Sequence, residues 1–221
     1  MDARDIPGFI RTHTRLMPVP HAPELSLHVA DEATVLWQKT EDELGEIGLP
    51  PPFWAFAWAG GQALARYILD NPEVVTGRSV LDFAAGSGLV GLAALKAGAA
   101  SVIAAEIDPF AAFACQINAA ANGLPGQLKM LERDVIGEDL GWDVVLAGDI
   151  CYQRDIAARV MDWLSALSKR GAVVLIGDPG RAYLPKDKLE PIATYTIPTT
   201  RALEDSEIKQ TSVWRFRHNY T

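Results

Sequence analysis

From about residue 78 the chain alternates short apolar runs with stretches whose apolar residues recur at helical spacing, a pattern that predicts a parallel α/β sheet. Ser79 to Phe83 (SVLDF) predicts a strand, and Leu89 to Ala97 the helix after it. Ser101 to Glu106 predicts a second strand. It leads to a helix beginning near Asp108-Pro109, where proline suits a first turn. Gln127 to Leu131 and Trp142 to Ala147 predict the third and fourth strands. The helical spacing over Ile156 to Leu167 ends at Gly171. Ala172 to Ile176, apolar throughout, reads as a fifth, buried strand. Leu189 to Ile197 and Ile208 to Arg217 alternate like exposed strands and are expected to pair antiparallel at one edge.

The first 77 residues follow another pattern. They predict a strand at Leu25 to Val29, a helix near Glu32 to Leu44 and a breaker at Gly48 to Pro52. The aromatic segment Phe53 to Trp58 (FWAFAW) comes next, then a helix from Gly60-Gly61 to about Leu69. We read residues 1–57 as a cap within the same domain as residues 58–221.

Composition narrows this further. A chain of 221 residues, 49% apolar and 22% charged, suits one globular domain. No apolar stretch reaches the length of a membrane span, and residues 1–20 lack the apolar core of a secretory signal. Cys115 and Cys151 form neither a disulfide framework nor a metal-ligand spacing, so a reducing compartment is expected. A net charge of −8 disfavours broad gripping of a phosphate backbone. Small molecules, or a basic patch on another protein, fit it better.

The sharpest motif is Asp82-Phe83-Ala84-Ala85-Gly86-Ser87-Gly88, a strand running into a tight loop and then a helix. Glycines there let the backbone approach a ligand, and the helix N-terminus offers unpaired N–H groups. Glu106 ends the next strand, where a carboxylate can accept hydrogen bonds from both hydroxyls of a ribose. Gly86, Gly88 and Gly91 also spell the dinucleotide pattern G-x-G-x-x-G. Asp82 argues against that reading, because a carboxylate beside the loop repels a pyrophosphate. It attracts S-adenosylmethionine, which carries an ammonium and a sulfonium and no phosphate. A helix-capping loop with incidental acids is the bland alternative.

With these residues in place, the chain resembles the class I, seven-strand methyltransferases from about Pro51 onward. The resemblance implies a doubly wound, Rossmann-like sheet with an antiparallel C-terminal strand. It also implies that Asp82, Gly86 and Gly88 surround the methionine moiety, that Glu106 binds the ribose and that Asp134 lies against the adenine, with Trp58, Ala84, Ser87 and Ile107 also at the cofactor. The family's usual first glycine is Ala84 here, which implies tighter packing and no loss of the site. Trp58-Ala59-Gly60-Gly61 resembles the segment that packs over the cofactor in the protein-lysine methyltransferases of this fold. Asp149-Ile150-Cys151-Tyr152 resembles their D-x-x-Y motif. The three segments in this order are most similar to the electron transfer flavoprotein β-subunit lysine methyltransferases. That implies a protein substrate, no nucleic-acid or membrane partner, a monomer, and a bacterial cytoplasm or, in a eukaryote, the mitochondrial matrix.

In a doubly wound sheet the carboxyl end of the fourth strand faces the methyl donor, so Asp149 and Tyr152 point toward an acceptor. Lysine ionises near pH 10.4, so only about 0.04% is neutral at pH 7, and only that form can attack. We therefore read Asp149 as a hydrogen-bond acceptor that aims the amine, and Tyr152 as a wall or second acceptor. The plain alternatives are a cap on the next helix for Asp149 and core packing for Tyr152. A small-molecule methyltransferase, a base-flipping amino-methyltransferase, an NAD-dependent reductase and a non-catalytic binder remain competing readings. Cys115 is expected to be buried, and His13, His21, His28 and His218 to lie at the surface without metal-ligand partners.

Overall fold

A computed structural model describes residues 5–30, 51–199 and 208–217. The helix expected over Glu32 to Leu44, most of the breaker that follows, and His218 lie outside the described residues.

The chain opens with a helix that periodicity did not signal, α1 (Ile6–His13), where Asp5 Oδ1 accepts from the Gly8 N–H at 2.9 Å. A hairpin follows, formed by β1 (Arg15–Val19) and β2 (Ala22–Val29), of which only the second half of β2 was expected. A 3₁₀ turn at Phe53–Ala55 leads into α2 (Ala59–Asp70).

The α/β part then runs β3 (Ser79–Phe83), α3 (Leu89–Lys96), β4 (Ser101–Ala105), α4 (Pro109–Ala121), β5 (Leu128–Leu131), β6 (Val144–Gly148), α5 (Arg154–Arg170), β7 (Val173–Asp178), β8 (Leu189–Pro198) and β9 (Ile208–Phe216). The seven strands expected from residue 78 onward are all present. They lie in the order β5-β4-β3-β6-β7-β9-β8. The first five are parallel, and β9 runs antiparallel between β7 and β8, so the expected edge pair is where the alternation placed it. Asp108 caps α4 through a 2.8 Å bond from the Phe110 N–H, and Gly171 ends α5 in the left-handed region.

Helices cover both faces of the sheet, which is why its inner strands are apolar on both sides. On one face Val80, Val102 and Leu146 pack with Leu64 and Ile68 of α2, Leu92 of α3, and Leu25 and Leu27 of the hairpin. On the other, Leu81, Val145 and Ile176 pack with Val160 and Leu164 of α5. Cys115 is fully buried in α4, as its helical position implied.

Two asparagines one turn apart, Asn118 in α4 and Asn122 at its C-cap, bind the hairpin. The Ser26 N–H donates to Asn122 Oδ1 at 2.9 Å and the His28 N–H to Asn118 Oδ1 at 2.8 Å. Asn118 Nδ2 also donates to the Ser87 carbonyl at 2.9 Å, which ties the hairpin to the glycine loop. His13, His21 and His28 are half-buried and not the surface residues expected. His13 packs on Phe9, His21 on Tyr195, and His28 Nδ1 lies 3.1 Å from Thr14 Oγ1. Among the described residues, no helix is long and apolar enough to cross a membrane.

Candidate active site

Successive strands leave β3 in opposite directions, toward β4 and β5 on one side and β6 and β7 on the other. The crevice at the carboxyl ends of such strands is where doubly wound sheets bind ligands. Here it holds a cleft of about 670 Å³. Ten residues singled out in the sequence line it: Trp58, Asp82, Ala84, Gly86, Ser87, Glu106, Ile107, Asp134, Asp149 and Tyr152.

Gly88 does not line it. This glycine has φ +79° and faces the core, where a Cβ would fall 3.1 Å from Cys115 Sγ and 3.2 Å from Leu128. Its lack of a side chain permits close packing of α3 on α4 and β5. Ala84 also differs from expectation. Its methyl is exposed in the cleft, and the substitution for glycine appears as backbone strain, at φ +52°.

Two carboxylates organise the loop. Asp82 is 1% exposed, and its Oδ2 accepts from the Gly91 N–H at 2.7 Å. Burial pushes its pKa up to about 7, the Gly91 bond works against that, and the charge of Glu106 adds to it. Glu106 Oε2 accepts from the Gly86 N–H at 2.9 Å, and its Oε1 from the Ile107 N–H at 2.8 Å. The second strand-end acid therefore clasps the glycine loop as well as facing the cleft. Ile107 is 74% exposed and offers an apolar ledge. Asp134 Oδ1 accepts from the Ile136 N–H at 2.8 Å, with Arg159 Nη2 3.6 Å from its Oδ2.

At the opposite end, β6 and β7 finish side by side, with Gly148 and Gly177 as register partners. Across them lies the start of α2. A Cβ on Gly177 would sit 2.1 Å from the Gly60 carbonyl oxygen, and one on Gly148 3.1 Å from the Gly61 Cα. This close approach explains the Gly60-Gly61 pair. It carries the Gly61 N–H to Asp149 Oδ2, at 2.9 Å.

Asp149 adopts φ +56° just beyond β6, and its own N–H donates to the Gly177 carbonyl at 2.8 Å. It does not cap the next helix, which begins at Arg154 after Gln153. Its Oδ1 accepts instead from Arg181 Nε and Nη2, at 3.1 and 2.7 Å. Burial raises the Asp149 pKa, Arg181 opposes the rise and Asp178 reinforces it. Tyr152 is 47% exposed, so it is not core packing. Its ring leans on Phe53, with centroids 5.8 Å apart. Trp58 Nε1 donates to the Phe53 carbonyl at 2.8 Å, and the Arg181 guanidinium lies 5.7 Å from the Trp58 ring. Of the aromatic run, Trp54 and Phe56 are core residues.

Sequence reasoning missed Arg181, Asp178 and Phe53. The signal available was Asp178-Pro179-Gly180-Arg181, an acid and a turn at the carboxyl end of the fifth parallel strand. Asp178 Oδ1 accepts from the Gly180 and Arg181 N–H groups, both at 2.7 Å. Cys151 carries no activation: burial, with Asp178 and Asp149 nearby, pushes its pKa up to about 12.

The cleft thus joins two chemistries. One end is a backbone loop flanked by carboxylates, suited to a cationic, hydroxyl-bearing ligand. The other is an aromatic-walled pocket with a buried carboxylate, suited to a polar group that needs aiming.

The family model for ribosomal protein L11 methyltransferase (PrmA) matches residues 62–177. The chain is 36% identical, over 219 residues, to the electron transfer flavoprotein beta subunit lysine methyltransferase of Danio rerio, covering 96% of this chain and 83% of that protein. Among solved structures, ribosomal protein L11 methylase from Lactobacillus delbrueckii subsp. bulgaricus matches with a TM-score of 0.50 at 20% identity, over 74% of this chain and 81% of that one. Magnesium protoporphyrin IX methyltransferase from Synechocystis PCC 6803, with bound SAM, matches with a TM-score of 0.53 at 15% identity, over 84% and 97%. At these identities the two structures speak for the fold.

Proposed function

This chain belongs to the family of the electron transfer flavoprotein β-subunit lysine methyltransferases, and from that premise we propose that it transfers methyl groups from S-adenosylmethionine to lysine side chains of that flavoprotein subunit. The observation that carries the reading is one continuous cleft with the Asp82–Glu106 glycine loop at one end and Asp149 with Tyr152 at the other.

The residues present fit the methyl donor. The loop end offers the Glu106 carboxylate, which suits two ribose hydroxyls, and the buried Asp82 carboxyl, whose charged form an incoming ammonium would favour. We assign Asp82 and the backbone of Ala84 to Ser87 to the methionine moiety, Glu106 to the ribose, and Ile107 and Asp134 to the adenine. When bound, S-adenosylmethionine supplies a methyl on a sulfonium; the amine lone pair forms the new N–C bond as the C–S bond breaks and sulfur keeps the electron pair, and the methylated nitrogen then sheds a proton to solvent. Asp149 would accept an N–H from the neutral acceptor amine. Each carboxylate oxygen has two lone-pair directions, so the bonds from Gly61 and Arg181 leave it that capacity. Tyr152, Phe53 and Trp58 would wall the side-chain channel and exclude water.

Residues 1–57 we assign to a cap within the same domain. The shared burial of Leu25 and Leu27 with Leu64 and Leu92 supports this. We place the protein as a monomer acting on a protein substrate in the bacterial cytoplasm or its mitochondrial counterpart. The deciding test incubates the pure protein with methyl-labelled S-adenosylmethionine and electron transfer flavoprotein, then maps label by peptide mass spectrometry. Label on lysines of the β subunit is expected. Label confined to other proteins of an extract would refute the substrate, and no label anywhere would refute the activity.

A further inference from the structure

Arg181 is a cation built into the acceptor end of the cleft. Its Nε and Nη2 donate to Asp149 Oδ1, and its guanidinium lies over the Trp58 ring. Its position is fixed from behind, because Asp178 takes the N–H groups of Gly180 and Arg181 and so shapes the turn that aims the side chain. The Arg181 and Asp149 side chains are 19% and 11% exposed, so little water screens the pair.

This pairing bears on how a lysine is received. A lone carboxylate in a pocket would bind the ammonium form as an ion pair and hold the proton on the nitrogen that has to lose it. With Arg181 in place the incoming group meets a neutral pair. The Asp149 oxygen can still accept a hydrogen bond, and the nearby guanidinium disfavours a second positive charge.

We propose that Arg181 is a positioning residue for the acceptor, which neutralises Asp149 so that the carboxylate orients the lysine amine while the pocket favours the amine's uncharged form. The proposal rests on the lysine methyltransferase reading. Among the described residues, the charged and titratable groups facing the Asp149 carboxylate are Arg181 and Asp178 from the segment around the end of β7, with Cys151 and Tyr152 beside it in sequence. The start of α2 contributes the Gly61 N–H, and Trp58 its ring. Asp178 opposes Arg181, and its Oδ1 is held by the two turn N–H groups.

The test compares wild type, Arg181→Gln and Arg181→Lys. One readout is kcat for methylation of electron transfer flavoprotein between pH 6 and 10, since kcat reports groups ionising in the complex. The other is proton release when a peptide carrying the acceptor lysine binds in the presence of adenosylhomocysteine, measured calorimetrically in buffers of different ionisation enthalpy. In Arg181→Gln the ascending limb should move up by about one pH unit or more, a loss of about tenfold at pH 7 that closes near pH 10. Proton release should fall, and Arg181→Lys should restore both. A uniform loss with the limb unmoved would make Arg181 merely structural, and a gain in rate would make it a plug. Either result, or unchanged proton release, overturns the proposal. Adenosylhomocysteine affinity equal to wild type verifies that the variants are folded. A wild type that methylates no lysine would instead bring down the functional reading beneath.

Discussion

Replacing Gly177 by alanine tests how the site is assembled. The new Cβ would lie 2.1 Å from the Gly60 carbonyl oxygen and 3.0 Å from the Leu64 Cβ. A carbon needs about 3.3 Å from a carbonyl oxygen, so α2 must lift off β7 by about 1 Å. That helix buries Ala63, Leu64 and Ile68 completely, and a gap of this size forfeits about a quarter to a half of the dispersion energy of each contact across it. Overpacking of this kind costs about 1–3 kcal/mol, and lengthening the Gly61 to Asp149 bond adds about 1.5–3 kcal/mol because its acceptor is charged. The sum is about 2.5–6 kcal/mol, a large share of the total stability of an ordinary domain.

Gly61→Ala is the internal control, one residue from the same contact. Its Cβ would meet only Leu89 Cδ2, at 3.8 Å, so the substitution should stabilise the helix by about 0.5–1 kcal/mol. Equilibrium urea unfolding of both variants provides the comparison, with methylation rate beside it. The reasoning fails if Gly177→Ala costs less than about 1 kcal/mol, or if the two variants are equally destabilised.

The remaining predictions concern the glycine loop. Ala84 already occupies the left-handed region, so Ala84→Val should destabilise by about 1–3 kcal/mol, whereas Ala84→Gly should change stability by less than about 0.5 kcal/mol because relieved strain is offset by added chain entropy. Thermal unfolding of the pair would show it, and equal effects of the two would refute strain at this residue. Asp82 has a folded-state pKa of about 7 against an ordinary 3.8, so the native state keeps a proton that the unfolded chain has already released. Stability from this group is full at low pH and is lost as pH rises from about 4 to 7, at up to about 1.4 kcal/mol per unit. Urea unfolding of Asp82→Asn should flatten that slope. An unchanged slope would assign the pH dependence to other groups.

The fold was legible because its strands are short, apolar and punctuated by glycine and helical spacing, so the seven strands from Ser79 onward could be read one by one. α1 and β1 were not legible. The eight residues of α1 bury only Ile10, and β1 has four exposed positions before Val19, so neither shows a repeating apolar face. At the site, local motifs were visible and contacts across the sheet were not. Asp149 was read as an acceptor facing the methyl donor, with a cap on the next helix as the alternative, but nothing local showed that its partners are a helix start 88 positions earlier and an arginine 32 positions later. Gly88 matched the loop pattern, but only packing shows that it faces Cys115 and not the cleft. The Gly60-Gly61 pair was recognised as part of a segment, while its physical reason, the flat surface made by Gly148 and Gly177, exists only once β6 and β7 are aligned.

The asparagine clamp on α4 sets the order in which the chain can mature during synthesis. The hairpin leaves the ribosome early, but the amides that satisfy its Ser26 and His28 N–H groups lie 96 and 90 residues downstream. At ordinary elongation rates that separation is about 5 to 20 s. Leu25 and Leu27 meet Leu64 of α2 and Leu92 of α3 sooner, so it is the hairpin's backbone N–H groups that wait longest. The hairpin is thus translated well before the residues that secure its backbone, and the nascent chain carries its own interval of exposure to chaperones and proteases until α4 has emerged and docked.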